Sequence, residues 1–549
     1  MQRLGVVGAA LVVALGLLAV PGTSSAVVPR AADPSAGPSA GPAAAAAVSW
    51  TTCADSELDS LGLQCGRLQV PLDHDEPAGA KITIALTRKV HTASPYQGVM
   101  LTNPGGPGGS GLSLPALSDY VPGNAGARFD WIGMDPRGVG ASTPSLHCNR
   151  AYFGYDRPSY VPRATWIHRS WLARARNYAS ACADTATKRA LLPHLTTLHT
   201  VRDMDLVRQA LGAEKLGFYG YSYGTYLGQL YATRYPTRVG RFVLDGVVNP
   251  QRVWYSANFD QDRGFELSMN QFWIYLARHP GDFHLGRNWR TIRSGYFRQL
   301  TLLDRRPLVG GRLGPDELHD AMLDAAYYVY DWDTLGYAYA DLVRRRQGAA
   351  LIYRYRDGQP ADDNGYAVYN AVQCTDTPWP GWTRTRLDTW AVHRRAPFAT
   401  WGNTWYNAPC LTWHAPRHKK LAASGRQVTA KILLINETRD AATPYAGALT
   451  ARRLFPSSSL VAGVGGTTHA SSLSGVPCVD NTVATYLRSG VVPTRRSGNG
   501  ADRACSRLLP PVPLDIGRVK ARSGDRGRAD RMSPVLRRAL HAAQRGTTQ

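Results

Sequence analysis

The sequence predicts an α/β fold with a mostly parallel, doubly wound sheet and a large, mainly helical cap inserted between two core strands. Two observations support this prediction: short apolar runs alternate with helical patterns, and a long aromatic-rich segment separates two of the runs. Short apolar runs that end in glycine-rich loops are typical of strands covered on both faces. Their alternation with helices favours a parallel sheet.

The strand candidates occur on both sides of the aromatic-rich segment. Residues 82–90 show the alternation of a half-exposed edge strand. Helices are expected at 200–211, capped by Thr200, and at 225–235. The predicted strands are 66–72, 82–90, 98–102, 131–134, 216–219, 241–244, 431–435 and 460–464.

Composition divides the chain into six parts. The first part combines Arg3 with an apolar stretch and small residues, which indicates an export signal; a membrane anchor is the alternative. The segment 251–427 is too long for a loop and is expected to be a separate cap. The parts are a signal peptide (1–26), an Ala/Pro-rich linker or propeptide (27–49), the N-terminal part of the sheet domain (50–250), the helical cap (251–427), the C-terminal part of the sheet domain (428–510) and a basic mobile tail (511–549), in which 534–544 can form a short helix.

The formal net charge of +23 is spread along the whole chain. Such a charge often indicates nucleic-acid binding, but the sequence contains no nucleic-acid motif, and we expect no nucleic-acid partner. After the signal, no segment is apolar enough for an integral membrane span. We therefore expect a secreted monomer, either extracellular or associated with the cell wall.

Eight cysteines follow the export signal, which indicates disulfides rather than a metal site. None forms a C-x-x-C pair and their spacing does not match a zinc site, so we expect no metal and no other cofactor. The sequence does not fix the pairing, because eight cysteines allow about 105 connectivities. The simplest assignment is sequential: Cys53–Cys65, Cys148–Cys182, Cys374–Cys410 and Cys478–Cys505.

The pattern Gly220-Tyr221-Ser222-Tyr223-Gly224 follows an apolar run and precedes a helical pattern. A serine at such a strand–helix corner sits in a strained turn that exposes its Oγ, and the glycines on both sides allow a close backbone approach. Ser222 is therefore the predicted nucleophile.

A nucleophilic serine needs a base, and the base needs an acid that orients it. In α/β-hydrolases these residues follow in the chain order Ser, Asp or Glu, His. Asp440 lies at the end of strand 431–435, and His469 follows strand 460–464 and a glycine pair, whereas His541 lies in the tail. We predict that Ser222, His469 and Asp440 form a triad. Two other acids stay open as alternatives to Asp440: Glu437 and Asp245.

The glycine-rich loop 103–111 follows a predicted strand and carries few side chains that would block a substrate. Amides near Gly106 and at Tyr223 are the predicted oxyanion hole, which would stabilise the negative oxygen of a tetrahedral intermediate. A flexible turn and a phosphate cradle are the alternatives, but the loop lacks the Lys-Ser/Thr pair of a Walker motif.

Five separated motifs occur at 103–111, 135–142, 220–228, 244–250 and 440–444. In this order they resemble the secreted tripeptidyl aminopeptidases, α/β-hydrolase serine peptidases related to prolyl aminopeptidases. The resemblance covers roughly 50–510. It implies an α/β-hydrolase fold, the triad above, a cap that selects peptides with a free N-terminus, and a characteristic C-terminal region from about 400 to 510. Two positions depart from the family: His469 lies in Thr-Thr-His-Ala instead of a Gly-His-Gly setting, and Asn249 replaces an acid.

An aminopeptidase must bind an ammonium group, which favours a carboxylate in a partly dehydrated site. Asp376 is the preferred candidate, because a disulfide at nearby Cys374 would tether it. The cap candidates are Asp260, Asp262, Asp331, Asp333 and Asp376.

The sequence leaves three functions open. The first is a secreted serine peptidase that removes short peptides, most simply tripeptides, from substrates with a free N-terminus. The second keeps the triad but acts on acyl esters, as carboxylesterases and lipases do, since the cap decides the substrate. The third is a secreted binding protein that has lost catalysis, which the intact Ser–Asp–His order disfavours.

Overall fold

The computed structural model describes residues 47–155, 157–358 and 362–513. The predicted signal peptide, most of the linker, and the tail from 514 onward with its 534–544 helix lie outside the described residues. The first strand begins at Trp50, where the sequence suggests that ordered structure begins.

In the described ranges, ten strands form a single sheet. The eight predicted strands correspond to β2–β9 with shifts of a few residues at their ends, while β1 and β10 are additional. The strands are β1 Trp50–Thr52, β2 Gln64–Pro71, β3 Lys81–Lys89, β4 Val99–Asn103, β5 Asp130–Asp135, β6 Leu216–Tyr221, β7 Val239–Asp245, β8 Ile432–Glu437, β9 Ser458–Val464 and β10 Arg503–Ser506.

The strands follow the order β1-β2-β3-β5-β4-β6-β7-β8-β9-β10 across the sheet. The pairs β1–β2, β2–β3 and β3–β5 are antiparallel, and all other pairs are parallel. The prediction of a mostly parallel sheet is therefore confirmed. The edge assignment for 82–90 is wrong, because β3 is paired on both sides and β1 occupies that edge.

The helices cover the sheet and build the cap between β7 and β8. Helix α4 begins one turn earlier than predicted, because Thr196 rather than Thr200 caps it. The helices are α1 Ser56–Ser60, α2 Thr165–Ala181, α3 Ala186–Leu191, α4 Thr197–Ala210, α5 Tyr223–Arg234, α6 Tyr255–Arg278, α7 Pro280–Phe283, α8 Trp289–Arg305, α9 Pro315–Tyr327, α10 Trp332–Arg345, α11 Ala349–Gly358, α12 Asn364–Asp376, α13 Trp382–His393, α14 Thr400–Tyr406, α15 Tyr445–Leu454 and α16 Pro477–Ser489. Short 3₁₀ turns include Leu192–His194 and Val329–Asp331.

Both faces of the sheet are buried in separate apolar cores. Because successive residues of a strand point to opposite faces, Leu101 and Leu434 contribute to one core, and their neighbours Met100 and Leu433 to the other. Helices of the cap share a third core, which also includes Ala441 of the loop after β8. The cap is thus packed directly against a loop of the sheet domain.

The eight cysteines form the four sequential disulfides of the simplest assignment: Cys53–Cys65, Cys148–Cys182, Cys374–Cys410 and Cys478–Cys505. Each closes a loop of at most 36 residues in sequence separation. Within the described residues, no helix combines the length and apolar character required to cross a bilayer.

A buried ion pair attaches the segment before β10 to the sheet. Arg452 donates to both carboxylate oxygens of Asp502 at 2.8 and 2.6 Å. The Asp502 carboxylate also accepts the backbone N–H groups of Leu460 and Arg496. Both charged side chains are almost completely buried, so the removal of one partner leaves an uncompensated charge in the interior.

Arg452→Met is expected to lower the free energy of unfolding by about 3–5 kcal/mol, because Asp502 loses the guanidinium that pairs with it in a buried position. Urea unfolding measures the change. Arg453→Met, at the exposed neighbouring position, is the matched control and should change stability by less than about 0.5 kcal/mol. Equal effects of the two variants would contradict the importance of the pair.

Candidate active site

Ser222 occupies the sharp corner between β6 and α5. Its φ of 53° and ψ of −122° are unusual for a residue with a side chain. The Ser222 amide donates to the carbonyl of Asp245 at 2.9 Å, which attaches the corner to the end of β7. A Cβ at Gly224 would lie 2.8 Å from the carbonyl oxygen of Asn103, so glycine is required there. This is the geometry that the G-x-S-x-G pattern predicts.

The structure brings Asp440 and His469 together. His469 Nδ1 lies 2.9 Å from Asp440 Oδ2 and 3.1 Å from Oδ1, and both side chains are 1 % exposed. Thr443 donates its backbone N–H and its hydroxyl to the two carboxylate oxygens at 2.9 and 2.8 Å. Asp440 is therefore held in one orientation, and the imidazole presents Nε2 on the side opposite the carboxylate.

The two alternative acids do not contact the imidazole; they hold the loop on either side of it. Glu437 accepts the N–H groups of Thr468 at 2.6 Å and Leu508 at 3.0 Å. Asp245 accepts the N–H of Ser472 at 2.7 Å. Burial raises the pKa of Glu437 to about 8 and the pKa of Asp245 to about 6.

Ser222 and His469 lie at the same edge of the sheet. The imidazole lies against Gly246, where a Cβ would approach His469 Cε1 to 2.9 Å. Gly246 directly follows Asp245, whose carbonyl accepts the Ser222 amide. The hydrogen bonds among the described residues do not include one between the Ser222 hydroxyl and His469. Such bonds are often long before a substrate is bound.

The predicted oxyanion loop lies next to Ser222. A Cβ at Gly105 would come within 2.8 Å of Ser222 Cβ and 3.1 Å of the Tyr223 nitrogen, so only a glycine permits this approach. Gly106 and Tyr223 both line the cavity at Ser222. Within the described ranges, neither of their N–H groups has a hydrogen-bond acceptor in the protein. Both are therefore free to bind a substrate oxygen.

A cavity of about 490 Å³ lies between this edge of the sheet and the cap. Its wall contains Ser222, Asp440 and Thr443 from the sheet domain. The cap side is aromatic and polar. It includes Trp254, Asn258, Asp260, Gln261, Tyr327, Tyr369 and Gln373.

The structure does not place Asp376, the preferred ammonium ligand, in this wall. Its buried carboxylate accepts the N–H and the hydroxyl of Thr197 at 2.9 and 2.5 Å, and the indole N–H of Trp254 at 3.1 Å. Burial raises the pKa of Asp376. Asp376 therefore holds Trp254, a residue of the cavity wall, without lining the cavity itself. Among the five candidates, Asp260 lines the cavity.

The other cap acids form contacts outside this cavity. Asp262 bonds to Asn403 beside a different, smaller cavity, and Asp331 forms an ion pair with Arg354. Asp333 accepts the N–H of Thr334 within α10.

Two residues that support the site were missed by sequence reasoning. Thr443 lies in the 440–444 motif, so the sequence already contained a signal for it. Tyr327 had no such signal: its carbonyl accepts the His469 N–H at 2.9 Å, and it comes from the cap.

A serine at a strand–helix corner, beside an oriented histidine on a mostly parallel sheet, defines a serine hydrolase with the α/β-hydrolase fold. The chain is 35% identical to the tripeptidyl aminopeptidase of Streptomyces lividans, over 85% of this chain and 88% of that protein. It is 30% identical to the serine protease Hip1 and to carboxylesterase B of Mycobacterium tuberculosis. The Hip1 match covers 81% of this chain and 89% of that protein, and the carboxylesterase B match covers 81% and 88%.

The model of the TAP-like protein family matches residues 396–505, close to the C-terminal region that the resemblance implied. The chain belongs to the tripeptidyl aminopeptidase family, and it is a serine hydrolase of the peptidase kind.

Glu437 gives the stability of this site a measurable pH dependence. Its folded-state pKa of about 8 lies above its ordinary value of 4.5 because of burial, so the folded protein retains a proton that the unfolded chain loses. Stability then falls as pH rises between these values. Glu437→Gln should reduce this slope by at most about 1.4 kcal/mol per pH unit.

Urea unfolding from pH 5 to about pH 8 measures the slope. Glutamine does not reproduce every hydrogen bond of the glutamate side chain, and this loss changes the free energy of unfolding equally at every pH. The change in slope therefore reports only the ionisation of Glu437. Exposed Glu214→Gln is the control and should match the wild type. Parallel curves for wild type and Glu437→Gln would show that Glu437 is ionised throughout.

Proposed function

We propose that this protein is a secreted serine peptidase that removes tripeptides from the free N-termini of peptides through an acyl-enzyme. The observation that carries the proposal is the Asp440–His469 contact at the cavity that also exposes Ser222. The tripeptidyl aminopeptidase relative supports the substrate class. The predicted export signal and the four disulfides support secretion.

The chemistry follows from the orientation of each group. Ser222 Oγ attacks the scissile carbonyl carbon while His469 Nε2 takes its proton, and Asp440 stabilises the resulting imidazolium at Nδ1. The N–H groups of Gly106 and Tyr223 bind the oxygen that becomes negative. His469 then gives the proton to the leaving amine. Water attacks the acyl-enzyme by the same route in reverse and releases the N-terminal fragment.

Ser222→Ala is expected to lower kcat on the order of 10⁶-fold, because the nucleophile is lost while the cavity is retained. The substrates are matched chromogenic tripeptides with a free or an acetylated amine, and a short-chain ester. Ser222-dependent turnover that prefers the free amine is the expected result. A protein that turns over none of them in a Ser222-dependent manner would contradict the peptidase proposal.

An esterase is the second candidate, favoured by the 30% identity to a protein named carboxylesterase B. In the same experiment, Ser222-dependent turnover of the ester without turnover of either tripeptide would support it. A serine peptidase also cleaves activated esters, so ester turnover alongside the free tripeptide leaves the peptidase proposal intact.

We assign the ammonium of the substrate to Asp260, the cap candidate in the cavity wall. Arg252 binds both of its oxygens at 2.6 and 2.9 Å, while Arg263 contacts Oδ1 at a longer 3.2 Å. The Arg263 side chain is 54 % exposed. The substrate ammonium therefore replaces the longer Arg263 contact, and Asp260 stays paired with Arg252.

Asp260→Asn is expected to raise KM for the free-amine tripeptide by about tenfold or more, because the ammonium loses one hydrogen bond to a charged group. The kcat should change little, and the acetylated peptide and the ester should be unaffected. Asp341→Asn, which also removes a carboxylate paired with an arginine in the cap, is the control. An equal loss with all three substrates would argue against ammonium recognition by Asp260.

A further inference from the structure

Three side chains of metal-binding type converge outside the active site, at the start of α4. Asp73 lies in the turn between β2 and β3, His194 ends the 3₁₀ turn before α4, and His199 lies in the first turn of α4. One potential ligand atom from each lies within 4.8 Å of the others. Cysteine spacing could not reveal this group, because its members are two histidines and an aspartate that lies far from them in the chain.

The separations of the ligand atoms fit a tetrahedral ion. His194 Nδ1 lies 3.3 Å from His199 Nε2, which lies 3.8 Å from Asp73 Oδ1. Zinc–nitrogen bonds of about 2.0–2.1 Å place neighbouring tetrahedral ligands about 3.4 Å apart. These two separations therefore lie within about half an ångström of the tetrahedral value, and the three ligand atoms all lie within 4.8 Å of one another.

The surrounding groups orient two of the ligands. Thr196 Oγ1 lies 2.8 Å from His199 Nδ1 and accepts a hydrogen bond from its N–H when Nε2 binds a metal. Such a partner on the second nitrogen is the usual companion of a metal-bound histidine. The Asp75 N–H donates to Asp73 Oδ1 at 2.8 Å, which fixes that carboxylate.

The positive charges near the group are paired with carboxylates, so they do not oppose the binding of a cation. The buried guanidinium of Arg137 donates to the His194 carbonyl at 3.3 Å, and Asp203 neutralises it through two bonds of 2.7 Å. Arg202 is paired with Asp75. The Asp73 side chain is 33 % exposed, so water can reach a fourth position.

We propose that His194 Nδ1, His199 Nε2 and the Asp73 carboxylate bind one divalent transition-metal ion of the zinc class, with water as the fourth ligand. Two imidazoles and one carboxylate select such an ion over Ca²⁺ or Mg²⁺, which prefer oxygen ligands.

The metal would connect the β2–β3 turn to the first turn of α4. That turn also contains Thr197, whose hydroxyl bonds Asp376 and lies 3.0 Å from the phenol oxygen of Tyr223. The ion therefore stabilises the fold next to the oxyanion loop, and it takes no part in the chemistry at Ser222.

The test uses the full-length protein after signal removal, without a histidine tag and after treatment with EDTA. Titration with ZnCl₂ in a calorimeter should give one ion per chain, and CoCl₂ should produce the visible absorption of a tetrahedral site. ZnCl₂ should also raise Tm, whereas MgCl₂ should not. Asp73→Asn and His199→Gln should each weaken Zn²⁺ binding at least about tenfold.

His414→Gln, at an exposed position, is the control and should bind Zn²⁺ as the wild type does. Asp73→Asn keeps an oxygen for the Asp75 amide, so its fold is retained even if His199→Gln misfolds. Absence of stoichiometric Zn²⁺ binding would overturn the proposal, as would equal affinity in the wild type and Asp73→Asn. In either case the two histidines only share a hydrogen bond.

Discussion

The strained corner at Ser222 depends on the parallel register of the central strands, and the rest of the site depends on that register. Because parallel strands end at the same edge, Ser222 after β6, Gly246 after β7, Asp440 after β8 and His469 after β9 are brought together although they lie far apart in sequence. The Ser222 amide bonds to the Asp245 carbonyl of the neighbouring strand. The unusual backbone of Ser222 is therefore supported by the sheet itself.

Buried carboxylates at the ends of three strands hold loops that surround Ser222. Asp135, the last residue of β5, accepts from Ser110, Gly111 and Ala141, and so joins the glycine-rich loop to the next one. Asp245 and Glu437 hold the two sides of the His469 loop. Burial raises the pKa of all three, to about 6, 6 and 8. Loop geometry is thus obtained at a cost in stability, a common feature of catalytic sites.

Much of the fold could be predicted because its signals are local. The buried strands show as short apolar runs, and the Ser222 corner shows as two glycines around a serine. The edge assignment of 82–90 failed because alternation along one strand does not reveal its neighbours, and β3 is paired with β2 on one side and β5 on the other. The position of Asp376 outside the cavity wall could not be predicted, because its bonds to Thr197 and Trp254 join three distant segments. The metal-type group at the start of α4 escaped detection because Asp73 lies far in the sequence from His194 and His199.

The cap contacts the loops that carry His469 and Asp440, so its position affects more than the wall of the cavity. The Tyr327 carbonyl at the end of α9 accepts the His469 N–H, and the Val329 N–H donates to Thr468 Oγ1. On the other side, a Cβ at Gly264 of α6 would lie 2.6 Å from the Ala441 carbonyl, directly after Asp440. His469 and the loop directly after Asp440 are thus each in contact with a different cap element. A movement of the cap is therefore coupled to the loops that carry His469 and Asp440.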